Sequence, residues 1–235
     1  MVLSKENSEL VAEFVGTFLF VLTIPLASAS IGDLAPIPIG FMLMAMVFTF
    51  GYISGAHFNP AITFATLITR HTSLKKAARY VFAQIMASIA ATLYVTAIIG
   101  TRFPVPTISN VLDVWQGLLT ESVYVFALAC VVLHVAYSRQ RANDFYGFAI
   151  GMTVLAAGFS VGGFTGGSFN PAVATGTQLV ACIVGSKCGP LIFVWLYWIA
   201  PLAGAFLGAF LYNILDTEGL INPKSNGNQK LDEVR

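Results

Sequence analysis

The chain has 235 residues and a formal net charge of +1, with 57% hydrophobic and 10% charged residues. An ordinary soluble domain carries about 25% charged residues, so the composition excludes a soluble protein. It favours a single membrane domain that comprises residues 1–235. The sequence has no basic stripe or acidic tail that would suggest nucleic acid as a partner. It also has no residue pattern that suggests a metal or another cofactor.

Six apolar stretches follow one another along the chain, each long enough or nearly long enough to cross a bilayer, which takes about 20 residues in a helix. They predict an all-α membrane fold with six transmembrane helices. The polar end of the chain, 217–235, is predicted to be a cytosolic tail. The six stretches lie near 9–30, 37–53, 78–99, 114–136, 145–162 and 190–215.

Two shorter apolar segments, about 59–69 and 170–180, each begin at Asn-Pro. Asn is a good helix N-cap and Pro suits the first helical position, so both segments are predicted to be re-entrant half-helices. Non-helical backbone at membrane depth is tolerated where it lines a cavity, which makes the residues before each Asn candidates for a solute path. The carbonyls expected along this path belong to Gly55, Ala56, His57, Phe58, Gly166, Ser168 and Phe169.

The two halves of the chain resemble each other. Residues 53–61 match 164–172 at an offset of 111, and residues 12–15 match 120–123 at an offset of 108. The first repeat covers about 9–100 and the second about 114–216. Because each repeat has three spans, the second copy must be inverted in the membrane, an architecture in which broken helices meet near the midplane around a substrate path.

Two acids lie deep inside predicted spans, Glu13 and Glu121, at matching places in the two repeats. An acid at a helix centre costs about 2.5 to 3.5 kcal/mol on insertion scales, so each needs partners. We expect both to support the re-entrant loops by accepting backbone N–H groups, and the alternative is a proton or ion site. His57 is expected to brace the first loop beside Glu13, with a role as a pore group as the alternative.

Ten of the 12 Lys and Arg residues fall on one side of the predicted membrane if both termini are cytosolic. Basic residues concentrate in cytosolic loops, so the chain is predicted to be a multi-pass protein with both ends in the cytosol. The two basic residues on the other side are Arg102 and Lys187.

Three cysteines, Cys130, Cys182 and Cys188, are an odd number without the spacing of a metal site or a disulfide framework. They are therefore expected to be free thiols that pack among apolar residues. This expectation concerns the second repeat alone, because all three follow residue 114.

Residues 54–61 and 166–172 resemble the two motifs of the aquaporin, or major intrinsic protein, family, and the resemblance extends from about Glu9 to Asp216. It implies a right-handed bundle of six helices with two half-helices, a pore in each subunit, a homotetramer, and no enzymatic activity. The implied function is passive passage of water and small uncharged solutes. The pore motifs would be Asn59, Pro60, Ala61, Asn170, Pro171 and Ala172.

In such a pore each Asn uses its carbonyl to cap a half-helix, which leaves its amide NH₂ group free to donate to water. A water molecule that accepts from both Asn59 and Asn170 has its hydrogens turned away from the centre. This interrupts proton transfer along the single file of water molecules in the pore. The positive ends of the half-helix dipoles repel cations, as is known for aquaporin-type pores.

Most relatives have Arg directly after the second motif, where this chain has Val173. The resemblance places the other filter positions at Ile39, Gly158 and Gly167, which implies a wide, apolar filter. Some plant vacuolar-membrane members and some protozoan members resemble this chain in having Val there, and such members can pass glycerol, urea, ammonia or hydrogen peroxide. The implied location is the plasma membrane or a vacuolar membrane.

Two other positions resemble water-selective members instead. Glycerol-conducting relatives have Asp two residues after the second motif, where this chain has Ala174, and they lack the aromatic pair Tyr197 and Trp198. Two other functions stay open, an inverted-repeat secondary transporter, which would need coupling-ion ligands near the midplane, and a structural membrane junction protein.

Overall fold

The computed structural model describes residues 3–215, and every regular element in that range is helical. A π-helical turn at Leu133–Tyr137 continues α5, and short 3₁₀ turns lie at Gly32–Leu34, Arg139–Arg141 and Pro190–Phe193. The predicted tail at 217–235 lies outside the described residues. The α-helices are α1 (Lys5–Ile31), α2 (Pro36–Ser54), α3 (Pro60–Ile68), α4 (Leu74–Ile99), α5 (Val114–Val132), α6 (Tyr146–Thr165), α7 (Pro171–Gly185) and α8 (Leu196–Leu215).

Within residues 3–215, six helical segments are long and apolar enough to cross a membrane. This confirms the predicted fold class, and the ends of the six segments lie within four residues of the predicted stretches. The half-helix α3 also matches its predicted bounds closely. The half-helix α7 is longer than predicted, because it continues to Gly185 instead of ending near 180.

Many large apolar side chains lie on the outer surface of the bundle, and several acids and amides lie inside it. Phe82 is 67% exposed and Trp115 is 58% exposed, whereas Glu13, Glu121 and Gln84 are fully buried beside an apolar core. A soluble domain exposes charged residues instead and seldom buries acids. This arrangement fits a bundle whose outer surface faces lipid.

The repeats form two similar halves, α1–α4 and α5–α8, in which α1 packs on α4 and α5 packs on α8. The halves meet where α2 crosses α6 at Gly40 and Gly151, two glycines separated by the repeat offset of 111. A Cβ on Gly151 would lie 2.5 Å from the carbonyl oxygen of Gly40, and a Cβ on Gly40 would lie 2.8 Å from that of Gly151. Small residues allow this close approach of helix backbones.

Cys182 and Cys188 are joined by a disulfide bond, with their Cα atoms 4.2 Å apart, so the expectation of three free thiols is wrong for this pair. Cys182 lies in the last turn of α7, and the left-handed residue Ser186, with a φ of 54°, reverses the chain after it. This turn brings Cys188 back beside the helix. Cys130 is a free, partly buried thiol.

The close crossing of α2 and α6 predicts a strong effect of Gly151→Ala. The added Cβ would meet the carbonyl oxygen of Gly40 and, at 2.7 Å, the Cβ of Met44, and overpacking of this kind costs about 1–3 kcal/mol. We expect a lower unfolding temperature in detergent. The control is Gly163→Ala in the same helix, where a Cβ meets nothing within 4 Å and helix propensity favours Ala by about 0.5–1 kcal/mol. Equal unfolding temperatures for Gly151→Ala and the wild type would contradict the proposed packing.

Candidate functional site

The two loops that precede the half-helices have the same backbone conformation. Each begins with a glycine that ends the preceding helix in the left-handed region, and each then has two more residues with positive φ. Positive φ is uncommon outside glycine and is concentrated at functional sites. The left-handed residues, with φ between 48° and 91°, are Gly55, Ala56 and Phe58 in the first loop and Gly166, Gly167 and Phe169 in the second.

An asparagine then caps each half-helix. The side-chain oxygen Oδ1 of Asn59 accepts a hydrogen bond from the backbone N–H of Ala61 at 2.8 Å, and that of Asn170 accepts from Ala172 at 3.0 Å. A proline follows each asparagine at the first helical position, where its missing N–H needs no partner. The local sequence therefore fixes both half-helix starts in the same way.

The two caps meet at the centre of the bundle. The amide nitrogen Nδ2 of Asn59 donates to the carbonyl of Phe169 at 2.9 Å, and Nδ2 of Asn170 donates to the carbonyl of Phe58 at 2.8 Å. An asparagine amide has two N–H donors, so one hydrogen on each residue is used in holding the loops together. The expectation that the whole NH₂ group is free is therefore wrong, and one hydrogen per Asn is left to donate to a solute.

Glu13 holds the first loop. Its oxygen Oε1 accepts from the hydroxyl of Ser54 at 2.7 Å and from the backbone N–H of His57 at 2.9 Å, while Oε2 accepts from the backbone N–H of Phe58 at 2.8 Å and from Nε2 of Gln84 at 2.9 Å. Four donors around one carboxylate offset the cost of burying it.

Glu121 holds the second loop in a parallel way. Its Oε1 accepts from the hydroxyl of Thr165 at 2.7 Å and from the backbone N–H of Ser168 at 3.1 Å, and its Oε2 accepts from the backbone N–H of Phe169 at 2.6 Å. Thr165 here takes the place of Ser54 in the first repeat. Each carboxylate therefore binds two consecutive backbone N–H groups that no helix satisfies.

Buried tyrosines support the same loops from outside. The hydroxyl of Tyr80 donates to the carbonyl of Ser54 at 2.8 Å, and that of Tyr197 donates to the carbonyl of Thr165 at 2.6 Å. Trp198, the second member of the aromatic pair, donates from Nε1 to the hydroxyl of Thr175 at 2.9 Å. The aromatic pair in α8 thus braces the second repeat.

His57 is a buried ring with both nitrogens in use. Its Nδ1 lies 3.1 Å from the hydroxyl of Thr63, and its Nε2 lies 2.8 Å from the hydroxyl of Tyr137. Tyr137 belongs to the π-helical turn after α5, and such turns are frequent at functional sites. The ring therefore ties the first loop to the second repeat.

A narrow cavity of about 20 Å³, which is room for about one water molecule, lies beside the two asparagines. Its apolar lining includes Phe20, Leu43, Leu128, Ile150 and Val154. The rest of the lining includes Asn59, Asn170 and the loop residues beside them, 56–58 and 168–169. A solute inside would therefore meet mostly apolar side chains and the amides of the two asparagines.

The four residues predicted as a filter do not line this cavity. Ile39, Gly158 and Gly167 are partly buried, and Val173 is 1% exposed among core residues of the bundle. Gly158 faces the start of α2, where a Cβ would lie 3.0 Å from the Cβ of Pro36. The structure thus brings the two Asn-Pro-Ala motifs together, and the four filter positions, which do not line this cavity, stay a prediction.

The segment between α4 and α5 packs over the second loop, a contact that the sequence did not predict. The carbonyl of Pro106 accepts from Nε2 of Gln178 at 2.8 Å, and the N–H of Ser109 donates to the carbonyl of Phe164 at 2.8 Å. A Cβ on Gly166 would lie 2.6 Å from the Cα of Pro106. A glutamine in the apolar half-helix α7, such as Gln178, indicates that its amide has a buried hydrogen-bond partner.

Residues 2–212 of the chain match the family described as "Major intrinsic protein". The chain belongs to the major intrinsic protein family. Members of this family are membrane channels and not enzymes. The aquaporin NIP2-1 of Oryza sativa subsp. japonica is 31% identical over 97% of this chain and 76% of its own length.

Other relatives come from distant organisms. Aquaporin-B of Dictyostelium discoideum is 33% identical over 84% of this chain and 79% of its own length. The glycerol uptake facilitator protein-like 6 of Lactiplantibacillus plantarum is 34% identical over 88% of this chain and 97% of its own length. In fold, this major intrinsic protein is similar to the aquaglyceroporin from Plasmodium falciparum, with a TM-score of 0.81 over 90% of this chain and 97% of the other, at 21% identity.

The bonds of Glu121 predict that Glu121→Gln destabilises the second loop. A glutamine side chain would set an amide N–H₂ against one backbone N–H of Ser168 or Phe169, and each buried donor left unpaired costs about 1–3 kcal/mol. We expect a lower unfolding temperature and a lower yield of folded protein. The control is Asp33→Asn, an exposed acid in the turn after α1. A Glu121→Gln variant as stable as this control would contradict the bracing role.

Proposed function

We propose that this protein is a passive water channel that also passes small uncharged solutes and excludes protons and ions. The observation that carries the proposal is the reciprocal pair of bonds between Asn59 and the carbonyl of Phe169 and between Asn170 and the carbonyl of Phe58. These bonds fix both amides beside the central cavity, with one amide hydrogen of each left to donate to a solute.

Water at the centre of the cavity would accept from both asparagines, because each offers a donor while its oxygen is used by the half-helix. The water hydrogens then point away from the centre, so a proton cannot pass along a continuous chain of donors and acceptors. The first turns of α3 and α7 also direct their positive dipole ends to this point, a barrier to cations known from aquaporin-type pores.

Different residues support the passage of small uncharged solutes and a preference for water. Val173, where most relatives have Arg, and the apolar lining of the cavity favour small uncharged solutes such as urea, ammonia, glycerol or hydrogen peroxide over ions. A glycerol uptake facilitator-like relative at 34% identity supports glycerol among them. Ala174 supports a preference for water, because glycerol-conducting relatives have Asp at that position. Proposed filter residues remain Ile39, Gly158, Gly167 and Val173.

The proposed orientation has both termini in the cytosol. The basic residues at the starts of α1 and α4 support it, since the ion pair between Lys76 and Glu9, 3.1 Å long, shows that these two helices begin at the same end. The disulfide between Cys182 and Cys188 lies at the opposite end, where Gly185 approaches Thr101 just after α4. Disulfides persist outside the reducing cytosol. A homotetramer in the plasma membrane or a vacuolar membrane completes the proposal.

A coupled secondary transporter has less support. It would need free carboxylates or other ion ligands near the midplane, whereas the carboxylates of Glu13 and Glu121 are taken up by loop and side-chain donors. Membership of a channel family also argues against coupling.

Osmotic measurements test the channel. Proteoliposomes that contain the purified protein should shrink faster than empty liposomes after an osmotic step, with no added proton leak under a pH gradient. Val154→Trp, which fills the central cavity from its apolar lining, should return water flux to the level of empty liposomes while the protein stays folded. Water flux equal to that of empty liposomes in the wild type would refute the proposal.

A solute panel tests the role of Val173. Val173→Arg should reduce urea, ammonia or glycerol flux by a larger factor than water flux, because an arginine narrows the outer path and adds a cation and hydrogen-bond donors. Val173→Met is the matched control, since it adds length without charge. If the wild type conducts water and excludes all three solutes, the wide-filter proposal is wrong.

A further inference from the structure

We propose that the groove between α1 and α4 binds a phospholipid with an anionic headgroup. The inference rests on a charged pocket and an apolar groove that adjoin each other on the outer surface of the bundle. It does not depend on what passes through the pore.

The charged pocket lies where α1 and α4 begin and has a volume of about 260 Å³. Its walls carry four cations and two carboxylates, a surplus of two positive charges. Both helices begin here, so the partial positive charges of their first turns add to that surplus. The charged residues are Lys5, Lys75, Lys76 and Arg79 with Glu6 and Glu9.

The ion pairs of the pocket are arranged so that two lysines stay available. Glu9 pairs with Lys76 at 3.1 Å and Glu6 pairs with Arg79. Lys5 and Lys75 are exposed, and among residues 3–215 neither has a carboxylate oxygen within 4 Å. An anionic headgroup in the pocket would therefore meet two cations that no carboxylate among residues 3–215 pairs with.

The apolar groove continues from this pocket along the same two helices. Leu10 and Arg79 line both spaces, and the groove then passes Val11, Phe82 and Met86, which are 49%, 67% and 41% exposed. From Arg79 to Met86 the helix rises about 10 Å. This distance is most of one leaflet of a hydrocarbon core about 30 Å thick, so the groove suits an acyl chain.

The order of the two spaces is what a phospholipid needs, with the charged part at the membrane surface and the apolar part below it. Basic pockets between transmembrane helices at the cytosolic face bind anionic headgroups in other membrane proteins, and the cytosolic leaflet is rich in anionic lipids. The pocket lies at the end of the protein that the basic residues place in the cytosol. Charge complementarity thus favours an anionic lipid over a neutral one.

Native mass spectrometry of the full-length protein in detergent tests the proposal. Phosphatidylserine should bind more tightly than phosphatidylcholine with the same acyl chains. The double variant Lys5→Gln with Lys75→Gln should weaken phosphatidylserine binding by roughly thirtyfold, and phosphatidylcholine binding should be unchanged. The matched control is Arg139→Gln with Arg141→Gln, which removes the same charge from exposed residues elsewhere at the same end. Equal losses in the two double variants, or equal binding of the two lipids to the wild type, would overturn the proposal.

Ala78→Phe tests the groove, because Ala78 is exposed on its wall and a phenyl ring there would fill it. We expect weaker binding of phosphatidylserine and unchanged binding of its soluble headgroup, glycerophosphoserine. Binding of inorganic phosphate or glycerophosphoserine to the wild type as tightly as the whole lipid would make this a phosphate site and refute a lipid site. Loss of the native oligomer in Ala78→Phe without loss of lipid would mean that a second copy of the chain covers the groove, which also refutes it.

Discussion

The structure depends above all on finding hydrogen-bond acceptors for backbone N–H groups that lie at membrane depth outside a helix, because lipid offers them none. The loops before the half-helices leave the helical hydrogen-bond pattern, and their free N–H groups lie far from bulk water. Glu13 and Glu121 supply the acceptors from neighbouring helices. With the loops held in this way, residues such as Phe58 and Phe169 can keep a strained positive φ that turns their carbonyls toward the opposite asparagine.

The two repeats reach this common geometry with different packing. In the first repeat Gly16 leaves room for the ring of Phe58, since a Cβ on Gly16 would lie 2.2 Å from a ring carbon. In the second repeat Tyr124 stands at the matching position, 108 residues later, and its ring lies 5.8 Å from that of Phe169. The backbone at the pore is thus closely symmetric while the side chains behind it are not.

Local chemistry explains what the sequence predicted. Apolar length identified the six spans, and the Asn-Pro starts at Asn59 and Asn170 identified the half-helices, because each depends on residues adjacent in the chain. The bond between Gln84 and Glu13 joins residues 71 positions apart, and no local pattern encodes such a contact. The disulfide of Cys182 was missed for a similar reason, since it depends on a left-handed turn that Cys spacing alone does not reveal. The resemblance supplied filter positions by alignment, but it could not show how deeply Val173 is buried.

Under the proposed function, the geometry of the asparagine amides would separate the exclusion of charge from the selection of solutes by size. Each amide has its oxygen bonded to a half-helix N–H and one hydrogen bonded to the opposite loop. Rotating an amide would break both bonds, so the remaining hydrogen keeps a fixed direction and only an acceptor can approach it. This arrangement depends on backbone contacts and not on Ile39 or Val173, which lie outside the central cavity. Under the proposed function, a change at the filter would therefore alter which solutes enter and leave intact the orientation imposed on water at the centre.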